Sequence, residues 1–443
     1  MKRFLCLLLT AVILFCTISC GTEEIQTSQE FQKQEEIQKP YYFFVYNSDK
    51  ISKSDYAAIC ELQALYSDYE IVMTDVIGLN SAEEVYRLLA AERNLRMDDP
   101  CGIQIFGDPS AVPAFVLRYE IEEYHSSGEF EIARYDDYVS DYFYTNFNND
   151  SEKLTESSAY QLSQKLNEID IIPEWPVVRL PLSRGQYSGF IEKYREYLSD
   201  LADEALLNIS VASPIFPVGW YSVAADDTGY FLMRARDEWG IIDNLKMFGT
   251  TKGVYASSLE LDGSCEAENW SYLTKEHLCE IFHDSHAGKT VLTQTIFDGK
   301  NKNEYHCEAV LEAKSINRVL SGKPYLLNTS GCEPAKDMTS NIITEALRGR
   351  CVGAIASTTL LSNVDVDCML TAEEYDEGYT KFSLLYEYLL AKSRGSSRSK
   401  AFHAGQYQVA TSLLQNAEFI HTHNLQANLN NLLGFHNFGM IDY

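Results

Sequence analysis

The six residues YYFFVY at Tyr41–Tyr46 begin the part of the sequence that can form a core, and such an aromatic run is typical of a buried strand. A helical pattern over residues 54–66 and a second strand over residues 69–73 follow it. A second helix, over residues 82–94, leads to a third apolar strand, GIQIF, at Gly102–Phe106. Strand and helix alternating at this spacing predict a parallel sheet built from βαβ units.

The same alternation resumes after a loop-rich region and a break near residues 181–186. Further helices are predicted over residues 186–204, 315–320, 340–347, 372–391 and 406–418, and further strands over residues 207–212, 278–282, 324–327 and 351–356. We therefore predict an α/β protein with two lobes, residues 41–182 and residues 183–443, in which mainly parallel sheets are flanked by helices.

Composition and charge narrow the class of protein. With 443 residues, 45% of them hydrophobic, the chain is long enough to bury a sizeable core. The formal net charge of −28 repels phosphate backbones, so we exclude nucleic acid as a partner. The eleven cysteines include no C-x-x-C pair, which excludes a zinc ribbon and a tight disulfide scaffold. Because the sequence also has no Gly-rich phosphate loop and no H-E-x-x-H motif, we predict no organic cofactor and no metal centre.

The first residues have the pattern of an export signal. A basic start, MKR, precedes the apolar run of residues 4–18, which is too short for a comfortable membrane span. The run ends in TISC at residues 17–20, which is similar to a bacterial lipobox except that Thr17 stands where Leu is commonest. We therefore predict a signal peptide over residues 1–19 and diacylation of Cys20, which would anchor the protein to the membrane at the cell surface.

Two further expectations concern this end of the chain. Ordinary cleavage after Ser19 is the alternative to lipidation, because small residues precede it, and it would give a secreted protein. Residues 20–40 are rich in Gln, Glu, Ser and Thr and poor in apolar residues, so they predict a flexible tether. In both cases the chain is expected to act outside the cytoplasm.

Reactive side chains follow two of the predicted strands, within IFHDSHAG at residues 281–288 and YLLNTSGC at residues 325–332. Catalytic groups gather at the carboxyl ends of parallel strands, so His286 and Cys332 are candidates for a thiol dyad. The histidine would accept the thiol proton, since the thiolate is the nucleophile. Backbone N–H groups of Ala287 and Cys332 could stabilise an oxyanion. The alternative is that both side chains belong to the core.

Several segments in the same order resemble the gingipain family of cysteine peptidases, whose catalytic domain has a caspase-like fold. The segments are residues 104–113, 138–143, 177–181, 285–287, 329–332, 345–347 with 353–358, and 431–434. The resemblance implies a cysteine endopeptidase in which Cys332 attacks the peptide bond, His286 is its partner and the product is an acyl-thioester. It implies protein or peptide substrates and leaves a structural calcium ion possible. The oligomeric state is not predicted.

Three acidic residues are candidates for substrate binding. Asp226 and Asp227 could line a pocket for a basic side chain, as the family's pocket acid does, or could be solvated turn residues. Asp141 could shape the substrate site or bind a structural cation, and its alternative role is a loop cap. The sequence departs from the family at Ala287, where a glycine is expected, and a position that needs positive φ would penalise alanine.

Two competing functions remain open at this stage. One is a catalytically inactive surface lipoprotein that keeps the fold to bind proteins or peptides, which the altered histidine motif favours. The other is an anchored solute-binding protein, which would explain a tether and α/β lobes but not the ordered His286 and Cys332 segments.

Overall fold

The computed structural model describes most of the chain after the N-terminal segment. The described residues are 39–124, 130–154, 161–162, 165–203, 208–212, 236–237, 240, 245–248, 267–275, 278–283, 285–297, 305–361, 384–416 and 422–442. The predicted signal peptide, the lipidation site Cys20, nearly all of the tether, and the candidates Asp226 and Asp227 lie outside them. Lys39–Tyr443 form one compact unit.

Within these residues the strands and helices alternate as in an α/β protein. The strands are β1 Tyr41–Tyr46, β2 Glu70–Asp75, β3 Gly102–Phe106, β4 Phe115–Tyr124, β5 Phe130–Ser140, β6 Val177–Leu180, β7 Asn208–Ala212, β8 Leu245–Phe248, β9 Cys279–His283, β10 Ala287–Gly288, β11 Val291–Phe297, β12 Tyr305–Glu312, β13 Tyr325–Thr329, β14 Cys351–Ser357 and β15 Phe435–Gly439. The α-helices are α1 Lys53–Leu62, α2 Ala82–Arg96, α3 Tyr187–Asp203, α4 Ala267–Leu273, α5 Ile316–Val319, α6 Ile342–Arg348, α7 Leu384–Ser393, α8 Arg398–Asn416 and α9 Thr422–Gly434.

A sheet of ten described strands has the order β2-β1-β3-β6-β15-β14-β13-β9-β7-β8. Neighbouring strands are parallel except β14 and β15, so the sheet consists of two parallel blocks that run in opposite directions. β15 comes from the end of the chain but lies in the block formed by the first strands, next to β6. The sheet therefore continues across the lobe boundary predicted at residues 182 and 183, and that boundary stays a prediction.

Strand β1 is buried on both faces of the sheet. Tyr42, Phe44 and Tyr46 belong to one hydrophobic cluster, while Tyr41 and Phe43 belong to the other. Alternate side chains point to opposite faces of a sheet, so one core lies on each side of it. A parallel sheet covered on both faces explains why YYFFVY shows no polar alternation.

Most predicted elements are confirmed within one to three residues, including Ser81 as the N-cap of α2, where it forms a capping box with Glu84. The mainly parallel sheet flanked by helices confirms the predicted fold class. Some elements were not predicted from the sequence: the β4–β5 hairpin, the antiparallel sheet β10–β11–β12, the strands β8 and β15, and the helices α4 and α9. Helix α8 begins at Arg398 rather than at residue 406. No helix in the described part of the chain is long and apolar enough to cross a membrane.

Candidate active site

The register of β9 and β13 brings the two predicted catalytic segments together. These strands are parallel neighbours, and His283 pairs with Thr329 at their carboxyl ends. His286 and Cys332 each follow three residues after that pair. Because paired strands lie about 4.8 Å apart, the two loops leave the sheet side by side.

Gly331 shows how closely the loops approach each other. A Cβ atom added at Gly331 would lie 2.3 Å from the Ala287 methyl carbon, 2.7 Å from the Ser285 carbonyl oxygen and 2.9 Å from the Ala287 nitrogen. The residue before the nucleophile therefore packs directly on the residues that flank His286. Neither Ala287 nor Gly288 has a positive φ, so alanine causes no backbone strain here. The methyl group of Ala287 occupies the space that glycine leaves at position 331.

We expect Gly331→Ala to destabilise the protein by about 1–3 kcal/mol, the usual cost of overpacking, and to separate the two loops. Urea unfolding gives the change in stability. Gly189→Ala in α3 is the matched control, since a Cβ there meets no atom within 4 Å. Adding Ala287→Gly should recover part of the loss, because it removes one of the two shortest contacts. Equal unfolding midpoints for Gly331→Ala and wild type would contradict this packing.

The Cys332 sulfur is held by the peptide group of Leu361, in the loop after β14. The Leu361 N–H donates to the sulfur over 3.4 Å, and the thiol donates to the Leu361 carbonyl oxygen over 3.6 Å. Asn430 of α9 fixes this loop, since its side-chain amide donates to the Leu360 carbonyl over 2.9 Å. Sequence reasoning missed Leu361, because nothing in the local sequence shows that this loop returns to the nucleophile.

Burial raises the pKa of the Cys332 thiol above its ordinary value, and the negative charge of Glu333 adds to this effect, while the Leu361 N–H opposes it. The resting thiol is therefore protonated at neutral pH. A nucleophile in this condition needs a base that accepts its proton as it attacks.

A charged cluster adjoins the nucleophile on the side of Glu333. Lys336 forms ion pairs with Glu333 and, over 3.1 Å, with Asp136 of β5. Desolvation raises the pKa of Glu333, and the Asp136 carboxylate raises it further, whereas Lys336 lowers it. Glu333 also has a φ of 56°, a left-handed conformation that is uncommon for glutamate.

His286 is exposed, and its backbone is fixed by β11. The His286 carbonyl oxygen accepts hydrogen bonds from the Thr293 N–H over 3.1 Å and from the Thr293 hydroxyl over 2.6 Å. Lys289, just after the histidine, forms an ion pair of 3.0 Å with Asp337, just after the cysteine. The base candidate is thus an exposed residue on an anchored turn beside the Cys332 loop.

Asp141 was predicted to shape the substrate site or bind a structural cation, with a loop cap as its alternative role. Its side chain is buried, and both its oxygens accept 2.6 Å hydrogen bonds from Arg179. Arg179 also donates to the carbonyl oxygens of Gly107 and Val112. Asp141 is therefore a structural residue that ties the base of the β4–β5 hairpin to β6. A buried ion pair of this kind cannot be inferred from residues 38 positions apart in the sequence.

The remaining predicted site residues can be placed as far as the structure describes them. The Ala287 N–H and the Cys332 N–H belong to the two loops that touch at Gly331, as an oxyanion site would require. Among the described residues, no group of three or more His, Cys, Asp or Glu side chains could hold a metal ion.

Comparison with known proteins supports the fold. No family model and no curated protein sequence matches the chain. The crystal structure of gingipain R, an Arg-specific cysteine proteinase, has a TM-score of 0.57 at 10% identity and covers 91% of this chain and 78% of its own. The complex of the Porphyromonas gingivalis RgpB pro- and mature domains has a TM-score of 0.54 at 11% identity, with 90% and 78% covered. A structure described only as a protease gives 0.54 at 11%, with 91% and 77% covered. The chain therefore has the α/β fold of these proteinase structures.

Proposed function

We propose that this chain is a cysteine endopeptidase that hydrolyses peptide bonds of proteins or peptides through Cys332 and His286. The observation that supports the proposal is the position of the two residues in the fold. They occupy equivalent positions beyond paired strand ends, and their loops touch at Gly331. The fold shared with the gingipain R proteinases supports the same reaction.

The mechanism follows from the environment of each group. His286 accepts the proton of the Cys332 thiol as the sulfur attacks the substrate carbonyl, which gives a tetrahedral intermediate. The N–H groups of Ala287 and Cys332 then stabilise the oxyanion. Collapse to the acyl-thioester transfers the proton from His286 to the leaving amine, and water hydrolyses the thioester. The proposal invokes no organic cofactor.

We also propose that the protein is exported and anchored through a lipid on Cys20. The support is the MKR start, the apolar run of residues 4–18 and the TISC sequence that ends it. Mass spectrometry of the N-terminal peptide of the protein from a bacterial membrane fraction tests this. A diacylated Cys20 is expected, and a mature N-terminus at Cys20 without the lipid would instead favour secretion.

Covalent labelling tests the peptidase function. Peptidyl electrophiles that carry different side chains at the scissile position are added to the protein under reducing conditions, and the modified residue is identified by mass spectrometry. We expect one adduct, on Cys332, with at least one member of the set. If no member labels the protein while iodoacetamide still alkylates Cys332, the peptidase function is wrong.

The raised thiol pKa favours one alternative, a surface protein that binds peptides without cleaving them. A reactive thiol usually sits in an electropositive setting, whereas Cys332 lies beside the Glu333 carboxylate. This alternative expects peptides to bind with the same affinity to wild type and Cys332→Ala, and no cleavage by either. Isothermal titration combined with product analysis separates it from the peptidase.

A further inference from the structure

A buried histidine, His283, joins the two loops of the candidate site. It ends β9, is 1% exposed, and packs near Trp270 with a ring-centroid distance of 6.4 Å. Its Nδ1 lies 2.9 Å from the Thr329 hydroxyl oxygen, and its Nε2 lies 2.9 Å from the Thr293 carbonyl oxygen. The imidazole ring thus bridges β13, which leads to Cys332, and β11, which holds the turn of His286.

The two threonines extend this bridge to the catalytic segments. The Gly331 N–H donates to the Thr329 hydroxyl oxygen over 3.2 Å. On the other side, the N–H and the hydroxyl of Thr293 both donate to the His286 carbonyl oxygen. A continuous hydrogen-bonded network therefore runs from the residue before the nucleophile, through His283, to the backbone of the base.

The chemistry of the partners fixes the direction of each hydrogen bond. A carbonyl oxygen only accepts, so His283 must carry a proton on Nε2 to bond with Thr293. Burial lowers the pKa of His283 to about 4, so the ring is neutral and Nδ1 is an acceptor. The Thr329 hydroxyl then donates to Nδ1 and accepts from the Gly331 N–H. Every donor in this network has one acceptor.

We infer that His283 is a positioning residue of the candidate active site, which it serves by locking the Cys332 and His286 loops in register through Thr329 and Thr293. The inference rests on the proposed peptidase function for its catalytic consequence. Its structural basis is independent, since a neutral ring with one donor and one acceptor matches both loops only in this arrangement. A displacement of about 1 Å between reacting groups can lower the rate roughly 100-fold, so a network that fixes the relative position of the two loops should increase the reaction rate.

Thr329→Val tests the inference, because valine keeps the shape of threonine and removes the hydroxyl that contacts both His283 and Gly331. Saturation kinetics with the peptidyl electrophile separate the maximal inactivation rate from the half-saturating concentration. We expect the maximal rate to fall by roughly 10- to 100-fold with little change in half-saturation. Thr329→Ser, which restores the hydroxyl, should recover most of the rate.

Thr344→Val is the matched control. Thr344 is a buried threonine of α6 whose hydroxyl donates to Asn341 over 3.0 Å, outside the network. It should lose similar stability in urea unfolding but keep the labelling rate of wild type. The inference is overturned if Thr329→Val labels as fast as Thr344→Val at a comparable unfolding midpoint.

A second measurement does not depend on labelling. In wild-type protein with 15N-labelled histidine, the inference expects a His283 resonance pair of the neutral Nε2–H form, assigned by its loss in His283→Phe. A protonated Nδ1 would overturn it. If wild type takes no peptidyl label, the peptidase function fails, and the tautomer still decides whether the network exists.

Discussion

His286→Ala is expected to slow labelling of Cys332 by a peptidyl electrophile by about 10²- to 10⁴-fold, the range that a positioned general base contributes. Cys332→Ala should abolish the adduct altogether. The reason is that burial and Glu333 hold the Cys332 pKa above its ordinary value, so the thiol does not ionise by itself at neutral pH. Only proton transfer to a neighbouring base can then produce the nucleophile.

The pH dependence of the alkylation rate with a small reagent tests whether the pKa of the Cys332 thiol is raised. Iodoacetamide needs no substrate site, so its rate with Cys332 should follow the thiolate fraction and keep rising with pH beyond 9. A plateau at neutral pH would contradict the raised thiol pKa and would indicate a preformed ion pair with His286 instead. In both experiments the quantity measured is the amount of alkylated Cys332 peptide over time.

Cys307→Ala is the control for both variants. Cys307 is exposed, has no disulfide and lies on β12, so iodoacetamide should modify it in wild type. The peptidyl electrophile should label Cys332 at the same rate in Cys307→Ala and in wild type. Comparable urea unfolding midpoints for His286→Ala and wild type would show that the slower labelling comes from the missing base and not from unfolding. Undiminished labelling of His286→Ala would eliminate this histidine as the base.

The candidate nucleophile and base could be predicted from the sequence because both follow short apolar strands. This local pattern can be recognised without the tertiary structure. It could not give the pairing of His283 with Thr329, which sets the two loops side by side. It also could not give the role of Leu361, because the loop after β14 reaches the sulfur only through the anchor at Asn430.

The β4–β5 hairpin has a sequence pattern from which it could have been predicted. Phe115, Leu117 and Tyr119 are buried, while Val116 and Arg118 between them are exposed. This alternation has the period of a half-buried strand, which contains no continuous run of apolar residues. β15 is a different case, since FHNFG has neither alternation nor an apolar run, and only its neighbours β6 and β14 make it a strand.

The buried ion pair of Asp141 and Arg179 has a structural consequence for the candidate site. The ion pair with Arg179 fixes the base of the β4–β5 hairpin, and two contacts just before it reach the candidate site: Asp136 binds Lys336, and the Val139 carbonyl accepts from the Thr358 hydroxyl. Asp141 is therefore linked to the candidate site through the hairpin that it anchors.

Arg179→Met is expected to destabilise the protein by about 3–5 kcal/mol at pH 7, since it leaves the buried Asp141 carboxylate without its partner. Arg118→Met, on the β4–β5 hairpin that the Asp141 pair anchors, is the matched control. The Arg118–Asp137 pair spans a similar 2.9 Å, but both side chains are about half exposed, so its loss should cost about 1 kcal/mol or less. Equal losses in urea unfolding for the two variants would contradict the burial of the Asp141 pair.

A double variant distinguishes an unpaired charge from the loss of the other contacts of Arg179. A buried carboxylate without a partner is strongly unfavourable, whereas a neutral amide in its place is much less so. Adding Asp141→Asn to Arg179→Met should therefore make the protein more stable than Arg179→Met alone, as measured by urea unfolding at pH 7. A double variant that is no more stable than Arg179→Met would instead assign the loss to the hydrogen bonds that the guanidinium donates to the Gly107 and Val112 carbonyl oxygens.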